Sequence, residues 1–546
     1  MSDYNKFKAF FPYNQIRPEQ ESVLKQIAAN WESKKYFILQ LDVGTGKSGI
    51  AKCCANMAQN AFIITETKQL QQQYINDFSH ENNMVSIKGK ANYACNQNFR
   101  LNCENGPCTL RENKSQMPKC WNSCKYYSLR QKALASQVVL TSYAYIFRAF
   151  DCAGFWQPRD LMVFDECHLI ESQLTNFAQF KLDPAELDKN YGLYDKYDSF
   201  EMKKQMQAFT NEGFEANKSR YNDIFNLVED KRKSLFDLMK EQFEDSGVKN
   251  PEDLNEDQLD ALGSTHKVYY EIDKLYKKME MFKNSCGDDK SWLIAPNSEG
   301  ALEFTPLFVN NLFESACEHW ANKFIFMSAT ILDTDGFIKE LGLDPAECLV
   351  IKGTSTFDPA KSPIYYMPCG SMSYENVAES MPNVEKAVQM IMKSKTGQHG
   401  IIHTGNYKIA QQIYHEIPDR RFLMKTSDAI SNTDLLKMHE KTKDSVLVSP
   451  SMTTGVDLKD DLSRFQIIVK MPFGSLADLR TKRKADIDST WYAIECLKTL
   501  IQASGRSTRS ATDYSVTYVL DSSFKYWVNK YKRYLPQSFL NRIKGL

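Results

Sequence analysis

The chain has 546 residues and balances 68 Lys and Arg residues against 68 Asp and Glu residues, so its formal net charge is +0. This length predicts about three or four domains, because a domain usually holds about 100–200 residues. Hydrophobic residues make up 42% of the chain and charged residues 25%, which excludes collagen-like, coiled-coil and disordered proteins. It has no run of about 18 apolar residues, so no membrane span is predicted.

The first residues, Met1 to Lys6, lack the apolar core of a signal peptide, which predicts a cytoplasmic protein. Structural disulfides are then not expected for its 14 cysteines. Five of the cysteines fall within one short stretch of sequence, as Cys95, Cys103, Cys108, Cys120 and Cys124. This clustering predicts a shared role.

The zero net charge hides a segregation of charge along the chain. Residues 88–132 carry nine Lys or Arg and two Asp or Glu, a balance of +7, whereas residues 181–263 carry 12 and 20, a balance of −8. A local basic surface can bind phosphate while an acidic region faces elsewhere. Neutral overall charge therefore does not argue against a nucleic-acid partner, although ordinary variation between solvated faces explains the pattern equally well.

Short apolar runs that alternate with helical patterns predict buried strands in parallel α/β sheets. The first series comprises Tyr36–Leu41, Ala61–Thr65, Val138–Thr141, Leu161–Phe164 and Phe324–Met327. The second series comprises Gly400–Thr404, Val446–Val448, Gln466–Val469 and Val516–Leu520. Two series predict two such domains. The cysteine-rich segment and a charged, helix-rich segment at about 180–295 break the alternation, so both are predicted insertions into the first domain.

The first predicted strand leads into a glycine loop and then a helix, which is the context of a phosphate-binding loop. Gly44 and Gly46 let backbone N–H groups face phosphate oxygens at the positive end of the helix. Lys47 would reach the β- and γ-phosphates, and the Ser48 hydroxyl would bind Mg²⁺. Leu41 stands where the strict pattern has its first glycine. The alternative is a tight glycine turn before a helix.

The predicted strand at Leu161 ends in two adjacent carboxylates. Asp165 can hold Mg²⁺, and Glu166 can orient and deprotonate the attacking water. His168, two residues later, is predicted to couple this site to another part of the protein, and the alternative for it is a hydrogen-bonded core histidine.

The second series of strands is followed by a motif that runs from Gln502 to Arg509. On a helix, Gln502, Arg506 and Arg509 lie on one face. Guanidinium groups placed there could reach a γ-phosphate held by a facing domain and stabilise the charge of the transferring phosphoryl group. The alternative is a solvated basic helix face.

Together these segments resemble the motifs of superfamily 2 helicases. Seven segments match, in order, the adenine-reading motif and motifs I, Ia, II, III, V and VI: Ile16–Gln20, Gly44–Ser48, Thr65–Lys68, Asp165–His168, Ser328–Thr330, Pro450–Asp457 and Gln502–Arg509. The cysteine-rich segment resembles the iron–sulfur segment of the XPD/DinG helicases, and the helical segment matches their arch. Cys167 and Ser48 depart from the commoner alanine and threonine, and five cysteines stand where the family usually has four.

The resemblance implies an α/β fold with two RecA-like parallel-sheet motor domains, the first of which carries an iron–sulfur insertion and a helical arch insertion. The implied bounds are 1–87, 131–180 and 296–345 for motor domain 1, 88–130 for the iron–sulfur domain, 181–295 for the arch and 346–546 for motor domain 2. No segment is long enough for the nuclease domain that some relatives carry.

The resemblance also implies roles for individual residues. The implied catalytic residues are Lys47, Asp165, Glu166, His168, Gln502, Arg506 and Arg509. The implied ATP-binding residues are Arg17, Gln20, Gly44, Thr45, Gly46, Lys47, Ser48, Gly455 and Asp457. Ser48 and Asp165 would hold Mg²⁺.

Four cysteine thiolates can hold a [4Fe–4S] cluster or a zinc ion, and ligand type alone does not separate the two. The resemblance favours the iron–sulfur cluster. The family pattern matches Cys95, Cys108, Cys120 and Cys124 best, with Cys103 as the alternative ligand.

The implied function is an ATP-dependent DNA helicase that moves 5′→3′ on single-stranded DNA and unwinds forked duplex DNA, as a monomer without a membrane partner. The alternatives are a nucleic-acid-binding scaffold with a vestigial ATPase and an RNA helicase. The motor residues argue against the scaffold, and the iron–sulfur resemblance argues against RNA.

Overall fold

The structure is a computed structural model that describes residues 3–98, 100–110, 117–148, 156–191, 199–285, 291–297, 301–353, 358–425, 430–450, 460–505 and 513–545. Its strands are β1 (Tyr36–Leu41), β2 (Ala61–Thr65), β3 (Met84–Ser86), β4 (Val138–Ser142), β5 (Arg159–Asp165), β6 (Phe180–Leu182), β7 (Trp292–Pro296), β8 (Leu302–Pro306), β9 (Ala321–Ser328), β10 (Cys348–Gly353), β11 (Ile364–Gly370), β12 (Gly400–His403), β13 (Phe422–Leu423), β14 (Val446–Ser449), β15 (Phe465–Ile468), β16 (Val516–Asp521) and β17 (Ile543–Lys544).

The helices lie between these strands. They are α1 (Asp3–Ala9), α2 (Pro18–Asn30), α3 (Lys47–Met57), α4 (Lys68–Asp77), α5 (Lys125–Ala135), α6 (Tyr143–Arg148), α7 (Ile170–Ala178), α8 (Pro184–Tyr191), α9 (Ser199–Asp245), α10 (Glu256–Ser285), α11 (Asn310–Ala316), α12 (Thr334–Leu341), α13 (Val377–Ser394), α14 (Tyr407–Glu416), α15 (Asn432–Lys441), α16 (Leu479–Ile487), α17 (Ser489–Gly505), α18 (Phe524–Lys530) and α19 (Gln537–Arg542). No helix in the described ranges is both long enough and apolar enough to cross a lipid bilayer.

Two parallel sheets organise the described residues. The first has the strand order β10-β1-β9-β5-β2-β4-β3, and the second has the order β13-β14-β12-β15-β16-β11-β17. Neighbouring strands run parallel throughout both sheets. The predicted α/β fold with two parallel-sheet domains is therefore confirmed.

Helices cover both faces of the first sheet, which is why its central strands are continuous apolar runs. Phe37 and Leu39 of β1 pack in one core, whereas Ile38 packs in another core on the opposite face. The strand register brings the carboxyl ends of β1, β5 and β9 to one edge, because Gln40 pairs with Ser328 and Asp165 pairs with Met327. This edge carries the candidate site.

The predicted strands agree with the observed ones to within three residues at either end, but several strands at or next to the edges of the sheets were not predicted. Strand β10 extends the first sheet beside β1, and β11 joins the second sheet beside β16. Most residues of both strands are only partly buried, and β11 contains Pro368, so neither reads as a continuous apolar run.

The described part of 180–306 holds two long helices beside a small antiparallel sheet. Helix α9 has 47 residues, α10 has 30, and the strand order of the sheet is β6-β8-β7. Aromatic rings join the two layers, since Phe282 of α10 makes an edge contact with Phe304 of β8 at 5.0 Å and Tyr221 of α9 lies 5.8 Å from the same ring.

The cysteine-rich segment contacts this helical region directly. The Tyr270 hydroxyl on α10 donates a hydrogen bond to the Glu104 carboxylate at 2.8 Å. Lys119 Nζ lies 2.8 Å from an Asp253 carboxylate oxygen. The two segments that interrupt the α/β alternation therefore contact each other, although the paired residues are 166 and 134 positions apart in the sequence.

Candidate nucleotide site between the two sheets

The loop after β1 has the backbone shape of a phosphate-binding loop. Gly44 and Gly46 have φ angles of 86° and 76°, in the left-handed region that favours glycine. A Cβ atom on Gly46 would lie 2.2 Å from Gln20 Nε2. No side chain caps the first turn of α3, so its N–H groups face the loop. Lys47 Nζ donates to the Leu41 carbonyl at 3.2 Å.

Two residues of the predicted adenine-reading motif hold this loop. Arg17 Nη1 donates to the Gly44 carbonyl at 2.7 Å, and Gln20 Nε2 donates to the Gly46 carbonyl at 3.3 Å. Gln20 Oε1 accepts from the Arg17 backbone N–H at 3.0 Å, which fixes the start of α2. The structure therefore brings Arg17 and Gln20 to the same loop as Lys47.

The paired carboxylates lie at the end of β5, two strands away from β1. Asp165 is buried, and Glu166 has a φ of 53°, a left-handed backbone that turns the chain sharply at the strand end. Burial and the adjacent charge of Glu166 raise the pKa of Asp165. Burial would raise the pKa of Glu166 as well, but hydrogen bonds with His168 and Ser328 and the charge of Lys47 outweigh it and lower that pKa. Glu166 is therefore anionic at neutral pH, as a base requires.

Two buried tyrosines that sequence reasoning missed fix Asp165. The Tyr74 hydroxyl donates to Asp165 Oδ2 at 2.9 Å, and the Tyr143 hydroxyl donates to the Asp165 backbone carbonyl at 2.9 Å. Burial and the charge of Asp165 raise the pKa of Tyr74, and the nearby Ser48 hydroxyl opposes that rise. Tyr74 thus lies beside both predicted Mg²⁺ ligands, Ser48 and Asp165. No sequence signal separates it from an ordinary core aromatic residue.

A chain of hydrogen bonds leads from Glu166 to the second sheet's domain. The Ser328 hydroxyl donates to Glu166 Oε2 at 3.3 Å, and His168 Nδ1 lies 2.8 Å from the same hydroxyl. Gln502 Nε2 on α17 lies 2.6 Å from His168 Nε2 and 3.0 Å from the Thr330 hydroxyl. With Gln502 donating to Nε2, the neutral imidazole carries its proton on Nδ1 and donates to Ser328. Predicted motifs II, III and VI therefore meet.

A buried ion cluster, also missed by sequence reasoning, joins the same two domains. Glu171 on α7 accepts from Arg480 at 2.9 Å, from Lys484 and from Trp491 Nε1 at 3.2 Å. Lys484 also contacts Glu340 at 3.0 Å. Burial would raise the pKa of Glu171, but the charges of Lys484 and Arg480 outweigh it and lower that pKa to about 2. Burial and the charge of Glu171 raise the pKa of Glu340 to about 7.

Four predicted site residues, Gly455, Asp457, Arg506 and Arg509, lie outside the residues that the structure describes. The described end of α17 is held by Arg542, whose Nη2 donates to the Ser504 carbonyl at 2.7 Å. The helix that leads to the two predicted arginines is therefore anchored immediately before them.

The clustered thiols contact one another within the described residues. Cys103 Sγ lies 3.6 Å from Cys124 Sγ. Hydrogen bonds from Cys120 lower the pKa of both Cys108 and Cys124, which favours the thiolate form that binds metals. The same hydrogen bonds raise the pKa of Cys120, and burial raises the pKa of Cys103 to about 12. Cys95 Sγ packs against Gly106. Even so, the described ranges hold no group of three or more His, Cys, Asp or Glu side chains arranged to bind a metal ion.

Two protein families each match a part of this chain. The helicase C-terminal domain family matches residues 388–542, which include Gln502 and most of the second sheet. The type III restriction enzyme res-subunit family matches residues 14–187, which include the phosphate-binding loop and both carboxylates.

Relatives and solved structures match over most of the chain. The probable ATP-dependent helicase MJ0942 of Methanocaldococcus jannaschii is 22% identical over 96% of this chain and 94% of that protein. The ATP-dependent DNA helicase CHL1 of Candida albicans is 21% identical over 74% of this chain and 58% of that protein. A solved XPD helicase has a TM-score of 0.63 at 14% identity and covers 95% of this chain and 98% of its own.

The resemblance to the XPD/DinG-like superfamily 2 helicases is thereby confirmed. The solved structure of S. tokodaii Xpd4 agrees with it, at a TM-score of 0.55 and 14% identity over 97% of this chain and 99% of that chain. In terms of the helicase motifs predicted from the sequence, Gln502 belongs to motif VI and contacts His168 of motif II and Thr330 of motif III.

Proposed function

We propose that this protein is an ATP-dependent DNA helicase that moves 5′→3′ on single-stranded DNA and unwinds forked duplex DNA. The helicase family matches and the relatives support an ATP-dependent helicase. The relative CHL1 is an ATP-dependent DNA helicase by name, which supports DNA over RNA as the substrate. The polarity follows from the XPD/DinG-like resemblance, and a monomer is the expected motor unit.

The observation that carries the proposal is the hydrogen-bond chain from Glu166 through Ser328 and His168 to Gln502. A scaffold that had lost its ATPase would have no need to connect a general base to a facing domain. In a motor, opening or closing of the cleft alters this chain, so domain movement and water activation are linked.

The residues present fit ATP and Mg²⁺. Lys47 and the N–H groups of the first turn of α3 would bind the phosphates, and Ser48 and Asp165, both beside Tyr74, would hold the metal ion. Bound Mg²⁺ neutralises charge on the phosphate oxygens. Glu166 would orient the attacking water and accept its proton, and Arg506 and Arg509 would complete the site from the second domain.

The thiols near Cys124 fit a metal group chemically, since Cys103 and Cys124 are in contact and the thiolate forms of Cys108 and Cys124 are favoured. We propose that they hold a [4Fe–4S] cluster, with Cys108, Cys120 and Cys124 as three of the ligands. The contact of Cys103 with Cys124 supports Cys103 as the fourth, and the family pattern supports Cys95.

The test is strand displacement on forks that carry a single 5′ or 3′ tail, measured alongside ATP turnover with and without single-stranded DNA. We expect DNA-stimulated turnover and displacement from the 5′-tailed fork. Displacement from the 3′-tailed fork alone would contradict the polarity. Stimulation by RNA alone would indicate an RNA helicase, and DNA binding without turnover would indicate the scaffold.

A further inference from the structure

The segment that follows the last long strand of the second sheet is basic and aromatic. Residues 525–534 read KYWVNKYKRY and contain four Lys or Arg, four aromatic residues and no Asp or Glu. In the whole chain, aromatic residues make up 12%. Basic residues interleaved with aromatic ones are typical of surfaces that bind single-stranded nucleic acid.

Tyr526, Trp527 and Tyr531 pack together with Phe473 into a group that we call the aromatic wall, and one ring of this group is exposed. Trp527 stacks on Tyr531 at 5.9 Å and makes an edge contact with Phe473 at 5.0 Å. Tyr526 lies edge-on to Trp527 at 5.1 Å and remains 56% exposed. Because its neighbours hold it, Tyr526 presents a ring to solvent at little cost in side-chain entropy.

Four cations surround this wall. Lys530 Nζ lies 5.4 Å from the centre of the Tyr526 ring, and the Arg533 guanidinium lies 4.6 Å from the centre of Tyr534. Lys525 and Lys532 are exposed. None of the four has a carboxylate of the described residues within ion-pair distance, so all four charges are available to phosphate groups.

The wall continues into a cavity at the carboxyl ends of the strands of the second sheet. Phe473 belongs to both, and the cavity of about 170 Å³ is also lined by His403 at the end of β12, Gly405, Pro450 after β14 and Lys470 after β15. Lys470 adds a fifth cation to the same edge. The basic and aromatic residues of 525–534 and the lining of the cavity therefore lie side by side along this edge of the sheet.

We infer that Lys525, Tyr526, Lys530, Lys532 and Arg533 form a contact surface for single-stranded DNA, in which a base stacks on Tyr526 and phosphates bind the four cations. This inference rests on the proposed function and adds a binding surface to it. An acidic protein segment would satisfy the cations but would leave the exposed ring unused. Stacking is independent of sequence, as a translocating motor requires.

The test measures binding of a labelled oligo(dT) to the full-length protein by fluorescence anisotropy at several salt concentrations. The triple variant Lys525→Ala, Lys530→Ala, Lys532→Ala should bind more weakly, and the slope of log affinity against log salt should fall by about 2, since each contact to single-stranded DNA contributes about 0.7. Tyr526→Ala should weaken binding about 10-fold, with the salt slope unchanged.

The matched control is the triple variant Lys437→Ala, Lys441→Ala, Lys443→Ala, which removes three exposed lysines on and after α15, near the opposite edge of the sheet. It should bind oligo(dT) as wild type does, and thermal melts of all variants verify folding.

Equal weakening in the control, or wild-type affinity in the test variants, would overturn the inference and leave the helicase proposal standing. Equal competition by poly(Glu) would overturn the choice of nucleic acid. Absence of oligo(dT) binding by wild type would overturn the helicase proposal as well.

Discussion

The nucleotide site and the cysteine-rich segment differ in what holds them in place. Asp165 and Ser328 stand at the ends of strands whose central residues are fully buried, so the sheet itself fixes their positions. The described part of the cysteine-rich segment has short turns and a single isolated β-bridge, and its buried residues are mainly cysteines and tyrosines. The fold around the nucleotide site should therefore survive the loss of one side chain, whereas the fold of the cysteine-rich segment should depend on its thiols.

The largest expected effect is on ATP turnover. Lys47→Ala removes the charge that would face the β- and γ-phosphates, and Glu166→Gln removes the base while keeping its shape. Each change should lower DNA-stimulated hydrolysis by a factor of about 100 to 10,000. Glu166→Gln should still bind a fluorescent ATP analogue, because the loop and α3 are unchanged. Near wild-type turnover in either variant would exclude that residue from catalysis.

The second largest expected effect concerns the cysteine-rich segment. Cys108→Ser or Cys124→Ser should release iron and unfold the cysteine-rich segment, since structural metal binding supplies about 10 kcal/mol or more in small modules. Both variants should still bind the ATP analogue and should fail to unwind forks. Iron and zinc assays on anaerobically purified protein provide the measurement, with Cys348→Ser as the control outside the segment.

The same metal assay separates the two candidates for the fourth ligand. If Cys103 is a ligand, then Cys103→Ser loses iron and Cys95→Ser retains it, and the reverse result assigns Cys95. Stoichiometric zinc without iron in the wild-type protein would contradict the iron–sulfur proposal.

A third prediction concerns the buried charges between the domains. Glu171→Gln leaves Arg480 and Lys484 without their shared carboxylate and should cost about 3 kcal/mol in free energy of unfolding. Glu340→Gln should cost much less at pH 7, because the pKa of Glu340 is raised to about 7 and its side chain is already partly protonated. Equal losses for the two variants in denaturant titrations would contradict this assignment of charges.

The pH dependence of the free energy of unfolding follows from the shifted pKa of Glu171. The folded-state pKa of Glu171 is below its ordinary value, so its contribution is complete above about pH 4.5 and is lost as pH falls towards 2. Wild type should therefore lose more stability than Glu171→Gln between about pH 4.5 and pH 2.

The smallest expected effect concerns Tyr74. Tyr74→Phe removes the hydroxyl that donates to the Asp165 carboxylate beside Ser48, and it should raise the half-saturating Mg²⁺ concentration for binding of a fluorescent ADP analogue about 10-fold. Tyr143→Phe is the matched control, because it removes an equally buried hydroxyl that contacts only the backbone of Asp165. The same Mg²⁺ dependence in both variants would show that Tyr74 has no specific role at the metal site.

The predictable parts of the molecule are those that local sequence dictates. Buried parallel strands such as β2 are continuous apolar runs, and the phosphate-binding loop needs glycines at fixed positions, so both could be predicted from sequence. Strand β11 could not, because an only partly buried strand next to the edge of a sheet has no such pattern. The contacts of Glu171 join residues more than 300 positions apart, and the sequence contains no signal for that pairing.

The most direct test of the account is the ratio of ATP turnover with and without single-stranded DNA in Gln502→Ala. This variant removes the contact of α17 with His168 and Thr330, with Gln412→Ala on α14 as a control that breaks only a contact within the second domain. The account predicts that stimulation by DNA falls to a ratio near one in Gln502→Ala and stays at the wild-type ratio in the control. Full stimulation in Gln502→Ala would contradict the claim that the two domains are coupled through this chain of hydrogen bonds.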